Sequence, residues 1–235
     1  MESAMSISAL KQDAAPASSG PSRGAMIAAE TIGEAWLDVA ALILDAGTPS
    51  DWEGLPLTEI ELVTLDVASP DPDDTLIRQY ADADWLAWMR SNFTEQARVA
   101  ALGHARSYAS RIFDYGATGR DQIDWVIKKL TRDPVTSNVT ITMFEPLTDI
   151  SYIPCVSLLD FWLRAGRLDL VAYCHSIDFG KKGFGNLVQL AELQRHVAGR
   201  LRVPEGRLTM IVKSAHIYET ELDLMTDIVK TAVKV

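Results

Sequence analysis

Two apolar runs, Cys155–Leu163 and Leu168–His175, are separated only by Arg164-Ala165-Gly166-Arg167. So short a connection makes an antiparallel hairpin, because parallel neighbours need a crossover of roughly a dozen residues or more. The chain must therefore build a sheet, and the surrounding segments must extend and cover it. Val139, Ile141 and Met143 alternate as a strand before the hairpin, and Leu208, Met210 and Val212 form one after it. Between them Leu187, Leu190, Leu193, Val197 and Leu201 recur at helical spacing. Ile123, Val126, Ile127 and Leu130 give a further helix, ended at Asp133-Pro134 because proline pushes the residue before it out of the helical region. A last helix runs from near Glu219 towards the C-terminus.

The first half is less regular. Thr31 and Glu34 have the spacing of a capping box ahead of Ile32, Trp36, Val39 and Ile43, and Gly47 stands where a left-handed C-cap belongs. Glu59–Val67 reads as a strand, Ser69–Asp74 as a loop, and Asp84–Gln96 as a helix with Trp85, Trp88 and Met89 on one side. Residues 1–27, rich in Ala, Ser, Pro and Gly, read as a disordered tail, leaving 28–235 as one domain. Lys11 and Asp13 interrupt any signal-peptide core. The whole predicts an α/β (α+β) architecture, helices covering a mixed, largely continuous sheet.

Composition narrows the function classes. A formal net charge of −10 argues against a nucleic-acid partner, which needs clustered Lys and Arg. No apolar run approaches the ~18 residues of a membrane span. Two cysteines without CxxC spacing predict free thiols in a reducing, cytoplasmic setting. Cys174-His175 invites a metal reading, but no further Cys or His has ligand spacing, so no metal is expected.

Polar residues cluster where strands end, in Ile153-Pro154-Cys155, His175-Ser176-Ile177-Asp178, Gly183-Phe184-Gly185-Asn186 and Ser214-Ala215-His216-Ile217-Tyr218. Such loops are where rigid scaffolds place reacting groups. Singly each is weak: a lone cysteine is usually a small buried hydrophobe, and these glycines lack dinucleotide-site spacing.

Together the four resemble the thymidylate synthase and pyrimidine hydroxymethylase family. That family carries a Pro-Cys, an Arg-Ser-x-Asp, a Phe-Asn opening a long helix, and an Ala-His-Ile-Tyr, in this order. Here Cys155 to His175 spans 20 residues, Asp178 to Asn186 spans 8 and Asn186 to His216 spans 30, intervals similar to the family's. The likeness is good over Asp121–Leu222, looser over Ala29–Gly47 and poor between Thr48 and Gly119.

The resemblance implies a homodimer with a sheet face at the interface, and one-carbon transfer from 5,10-methylenetetrahydrofolate to C5 of a uracil-like pyrimidine. It implies Cys155 as the nucleophile that adds to C6, with Ser176 and His175 as donors lowering its pKa, and Tyr108 beside it. Asn186 resembles the amide that reads the O4 and N3–H edge, offering one acceptor and one donor. Asp178 resembles the carboxylate that holds the folate's pterin. His216 and Tyr218 resemble the pair at the sugar hydroxyl.

Departures from the family pattern limit the substrate. Its four phosphate-holding arginines are replaced by His175, by Ser137-Asn138, and by Asp51-Trp52-Glu53-Gly54 where Asp-Arg-Thr-Gly is usual. Ser, Asn and Trp cannot reproduce a guanidinium fork, so either the 5′-phosphate is absent or Lys181, Lys182 or Arg111 binds it. The catalytic Glu has no clear counterpart; Asp82, Asp84 and Glu95 are candidates. The chain runs 17 residues beyond Tyr218, which predicts loss of the C-terminal lid and, with Lys182 replacing a glycine, a hydroxymethyl product. Two other readings stand beside this one: a thiol-dependent enzyme acting on another heterocycle in secondary metabolism, and a non-catalytic pyrimidine-binding homologue.

Overall fold

The computed structural model describes residues 23–150 and 152–232. In chain order the elements are β1 (Met26–Ala29), α1 (Ile32–Ala46), β2 (Thr48–Trp52), β3 (Leu55–Val67), α2 (Thr75–Tyr80), α3 (Ala83–Thr94) and the small pair β4 (Arg98–Val99) and β5 (Ala105–Arg106). There follow α4 (Tyr108–Phe113), α5 (Gln122–Arg132), β6 (Thr140–Thr142), β7 (Val156–Arg164), β8 (Arg167–Cys174) and β9 (Ile177–Asp178). The chain continues through α6 (Gly183–Leu201), β10 (Glu205–Tyr218) and α7 (Leu222–Ala232).

The expected hairpin is β7–β8, turned by Ala165 and Gly166, both at positive φ. It belongs to an eight-stranded mixed sheet of order β1-β3-β10-β8-β7-β6, with β2 on β3 and β9 on β10. Strands β1 and β3, β8 and β10, and β9 and β10 run parallel; the other pairs are antiparallel. Its inner face is apolar in register: Val67, Leu208 and Leu170 align, as do Leu65, Met210 and Ala172, all buried. Helices α1 and α6 pack on this face. Burying such rows at about 25 cal/mol per Å² is what holds the layers together.

Several expectations need correction. Met26–Ala29 pairs with Thr64–Val67, so order begins inside the segment read as a tail; residues 1–22 lie outside the described part. Thr31 and Glu34 do form the capping box, but Gly47 is extended (φ −69), not left-handed. Glycine is required there by proximity: a Cβ would meet the Ile43 carbonyl at 2.4 Å and Thr58 at 2.5 Å. Strand β3 starts four residues before Glu59, because β2 folds back on it, and α3 ends at Thr94. The Val139–Met143 strand shrinks to Thr140–Thr142, and Val139, Ile141 and Met143 are all buried in the core.

The opposite sheet face carries a different apolar row. Ile211 pairs with Tyr173, and Tyr173 with Leu158, each 37–38% exposed. Leu62 in β3 has φ 56, which a leucine rarely adopts, and shifts the alternation of that strand. Beyond this kink β10 buries Ala215, His216 and Ile217 consecutively. Among the described residues, no helix is long and apolar enough to cross a membrane.

Candidate active site

Strand ends and one helix start bring the site together. Cys155 precedes β7, half-buried, and the adjacent peptide is fixed from outside the sheet: the Tyr108 hydroxyl accepts the Val156 amide at 2.9 Å. Strand β9 pairs with the end of β10 so that Asp178 stands directly opposite His216. The Phe179–Lys182 turn then feeds α6, whose first turn carries Asn186. Trp36 in α1 steadies that turn, its indole N–H donating to the Phe179 carbonyl at 2.9 Å and its ring meeting Phe184 edge-on at 5.0 Å. Gly185 lets α3 approach α6 closely, since a Cβ there would lie 3.0 Å from Met89. That approach sets Trp85 and Trp88 beside the start of α6.

Within this arrangement polar atoms are buried without partners. Asp178 accepts the Gly180 and Lys181 amides on Oδ1 at 3.0 and 3.1 Å, leaving Oδ2 unpaired. Asn186 donates from Nδ2 to the Lys182 carbonyl at 3.1 Å, leaving Oδ1 unpaired. The His216 Nδ1 meets the Ser176 hydroxyl at 3.3 Å, leaving Nε2 unpaired. Glu221 takes Lys181 Nζ and the Thr220 hydroxyl on Oε1, leaving Oε2 unpaired. An unsatisfied buried polar atom costs about 1–3 kcal/mol, so four in one neighbourhood mark a surface shaped for a ligand. The one further such atom among the described residues, Gln194 Oε1, lies apart on α6, where the Gln194 amide donates to the Leu168 and Arg207 carbonyls.

Burial dominates the electrostatics. It pushes the Asp178 carboxyl up to about 6, with Lys182 opposing, and lowers His216 to about 4, so the imidazole is neutral near pH 7. Tyr218 meets the His216 ring edge-on at 5.0 Å and is raised to about 12, chiefly by burial. The Cys155 thiol is raised, first by burial, against the lowering effect of Lys182; Asp178 adds to the rise.

The expected donors to Cys155 have other hydrogen-bond partners. Ser176 is engaged with His216, and His175 Nε2 lies 3.2 Å from the Ile153 carbonyl. Arg111 is 1% exposed, forks onto Asp149 at 2.6 and 2.8 Å, and donates to the Met143 and Arg106 carbonyls, which commits four of its five N–H groups. Lys181 is engaged with Glu221. Asp82 caps α3 through the Asp84 and Trp85 amides, while Asp84 and Glu95 are exposed. Glu221 and Tyr152, the latter near enough to Cys155 for mutual influence, were missed. Glu221 sits in Glu219-Thr220-Glu221, which reads as a solvated first turn; only its place two residues past the His216–Ile217–Tyr218–Glu219 run hinted otherwise.

Fold and site together define a mixed-sheet enzyme class with a thiol at a strand end facing a cluster of buried hydrogen-bonding groups. Residues 72–234 match the family model described as thymidylate synthase. Proteins named "Putative thymidylate synthase" from Methanosarcina acetivorans and Methanosarcina barkeri are each 30% identical to the chain over 219 and 217 residues, covering 88% of it and 95% of each relative. A deoxyuridylate hydroxymethyltransferase from Bacillus phage SP01 is 36% identical over 104 residues, 42% of this chain and 27% of the phage protein. The chain belongs to the thymidylate synthase family.

Proposed function

We propose that this chain transfers a one-carbon unit to C5 of a uracil-like pyrimidine nucleoside or nucleotide, with Cys155 as the nucleophile. The observation that carries the reading is the set of unpaired buried atoms beside Cys155. Asn186 offers a free acceptor for a ring N–H and a second amide hydrogen for a carbonyl, the complement of a uracil edge. His216, neutral with Nε2 unpaired, and Tyr218 suit a sugar hydroxyl.

The buried, unpaired acceptors of Asp178 and Glu221 fit a ligand rich in N–H donors, as an aminopyrimidinone ring is. They would hold 5,10-methylenetetrahydrofolate, which supplies the one-carbon unit when bound. The chain's own part is addition and release. The Cys155 thiolate bonds to C6, and the electron pair of the C5–C6 double bond moves towards C4 and its oxygen, making C5 nucleophilic. Once C5 has gained carbon it loses its proton, and the C6–S bond breaks as the double bond returns. The open face of β8 and β10 suits a second copy, so the working unit is a homodimer.

Tritium release from C5-labelled uridine, deoxyuridine and their monophosphates, with methylenetetrahydrofolate present, tests the reading. Release is expected from at least one, lost in Cys155→Ala and kept in Cys174→Ser. A folded Cys155→Ala protein that still releases tritium would end it.

A further inference from the structure

Several strand ends of the candidate site lie at one edge of the sheet: β7 starts just after Cys155, β8 ends just before His175, and β10 ends at Tyr218. The β2–β3 hairpin turns at that same edge, because β3 runs antiparallel to β10 and begins at Leu55. Its register continues the site. Asp178 pairs with His216 and His216 with Glu59; two residues on, Tyr218 pairs with Leu57 and Leu57 with Ser50. Two residues further, Leu55 pairs with Trp52. Paired and alternate residues share a sheet face, so Trp52 and Leu55 stand on the face of His216 and Tyr218, about 7 Å beyond Tyr218 at ~3.4 Å per residue. The strip runs from buried to open: Leu57 is 6% exposed, Leu55 51% and Trp52 56%.

The hairpin tip is held in one shape. Glu53 and Gly54 both have positive φ, 53° and 83°, as a two-residue type I′ connection requires, and the Asp51 carboxylate accepts the Gly54 amide at 2.8 Å. Glu53 adopts this left-handed conformation although Asn, Asp or Gly takes it more readily. With Asp51 it makes the tip acidic: Thr48–Leu57 holds two carboxylates and no lysine or arginine. Glu53 is also near enough to Tyr218 to add to the rise in its pKa, which burial leads.

We propose that Trp52 and Leu55 form the outer wall of the substrate site and receive its uncharged sugar end, so that the chain selects a pyrimidine nucleoside over its 5′-monophosphate. The proposal rests on the reading of the site as one for a uracil-like pyrimidine. With the base at Asn186 and a sugar hydroxyl at His216 and Tyr218, the next group along the substrate is the 5′ carbon. The next side chains along the strip are Leu55 and Trp52. The C–H face of a furanose buries well against an indole and an isobutyl group, which offer nothing to a dianion. Asp51 and Glu53 repel a phosphate at the same place, so attraction and repulsion select the same ligand.

The test is calorimetry of the full chain with deoxyuridine and with its 5′-monophosphate. Trp52→Ala should weaken deoxyuridine about tenfold, as truncating an aromatic anchor does, and Trp52→Phe should restore the parent affinity. Trp52→Arg should shift preference towards the monophosphate by about tenfold or more, a change that a merely structural tryptophan would not produce. Where Trp52→Ala fails to fold by circular dichroism, Leu55→Ser carries the same expectation. Equal deoxyuridine affinity in the parent and in folded Trp52→Ala overturns the proposal, as does a parent that binds the monophosphate more tightly. Light scattering that shows Trp52→Ala losing a dimer, with deoxyuridine affinity unchanged, assigns the tip to a second copy and likewise overturns it. A parent that binds neither compound removes the pyrimidine reading as well, so the two failures are distinct.

Discussion

The Tyr108 hydroxyl accepts the Val156 amide at 2.9 Å, so helix α4 holds the peptide that follows Cys155. The same ring stacks on Phe93 of α3, centroids 4.4 Å apart, which fixes its own position. Burial keeps the phenol neutral by raising its pKa well above the usual value. Tyr108→Phe therefore leaves the Val156 N–H unpaired, at a cost of about 1–3 kcal/mol. Urea denaturation should show that loss, and turnover should fall through kcat rather than KM as Cys155 loses its register. Unchanged stability together with unchanged kcat would refute the link.

Asp178 and His216, opposite each other across β9 and β10, oppose each other in pH-dependent stability. The folded pKa of Asp178, about 6, is above that of an unfolded Asp, ~3.9. Its contribution is thus full below pH ~4 and lost as pH rises through about 6. The folded pKa of His216, about 4, is below the unfolded ~6.5, so its contribution is full above ~6.5 and lost as pH falls through about 4. Each shift is worth about 3 kcal/mol. Relative to the parent, Asp178→Asn should gain stability between pH 4 and 6, and His216→Gln should gain it as pH falls from 6.5 to 4. Denaturant midpoints at pH 4, 5, 6 and 7 check both, and flat difference curves would contradict the assignment.

The row Ile211, Tyr173 and Leu158 predicts a homodimer through the open sheet face. Light scattering at micromolar concentration should give twice the chain mass, and Tyr173→Lys combined with Ile211→Glu should give a monomer. A monomeric parent would remove the dimer.

A 5′-phosphate should add little to binding. Arg111 is closed off by Asp149 and Lys181 by Glu221, and Ser137 and Asn138 are exposed polar residues without charge. Calorimetry on a nucleoside and its monophosphate should show a gap well under the ~4 kcal/mol of intact arginine pairing. A nucleotide bound a thousandfold more tightly would contradict this.

The sequence by itself determined the hairpin, the helical cover and the order of the motifs. Alternation in Cys155–Leu163 and Leu168–His175 and the four-residue gap between them leave one local geometry, and the intervals linking Cys155, Asp178, Asn186 and His216 are properties of the chain. Short-range patterns survive because caps, turns and periodic faces involve residues a few positions apart. Gly47 failed at that scale because what constrains it is the approach of Thr58, a tertiary contact.

Only the tertiary structure decided which side chains remain free. Ser176 reads as a donor for Cys155 until His216 arrives from 40 residues away and engages its hydroxyl. Lys181 and Lys182 look equivalent until Glu221, 40 residues beyond Lys181, neutralises the first and α3 brings two indoles beneath the second. The thiol reads as activated in sequence, yet burial under α4, β8 and the Tyr152 loop raises it. Hydrogen-bond capacity, burial and unbalanced charge depend on every neighbour in space, and no spacing along one chain encodes that sum.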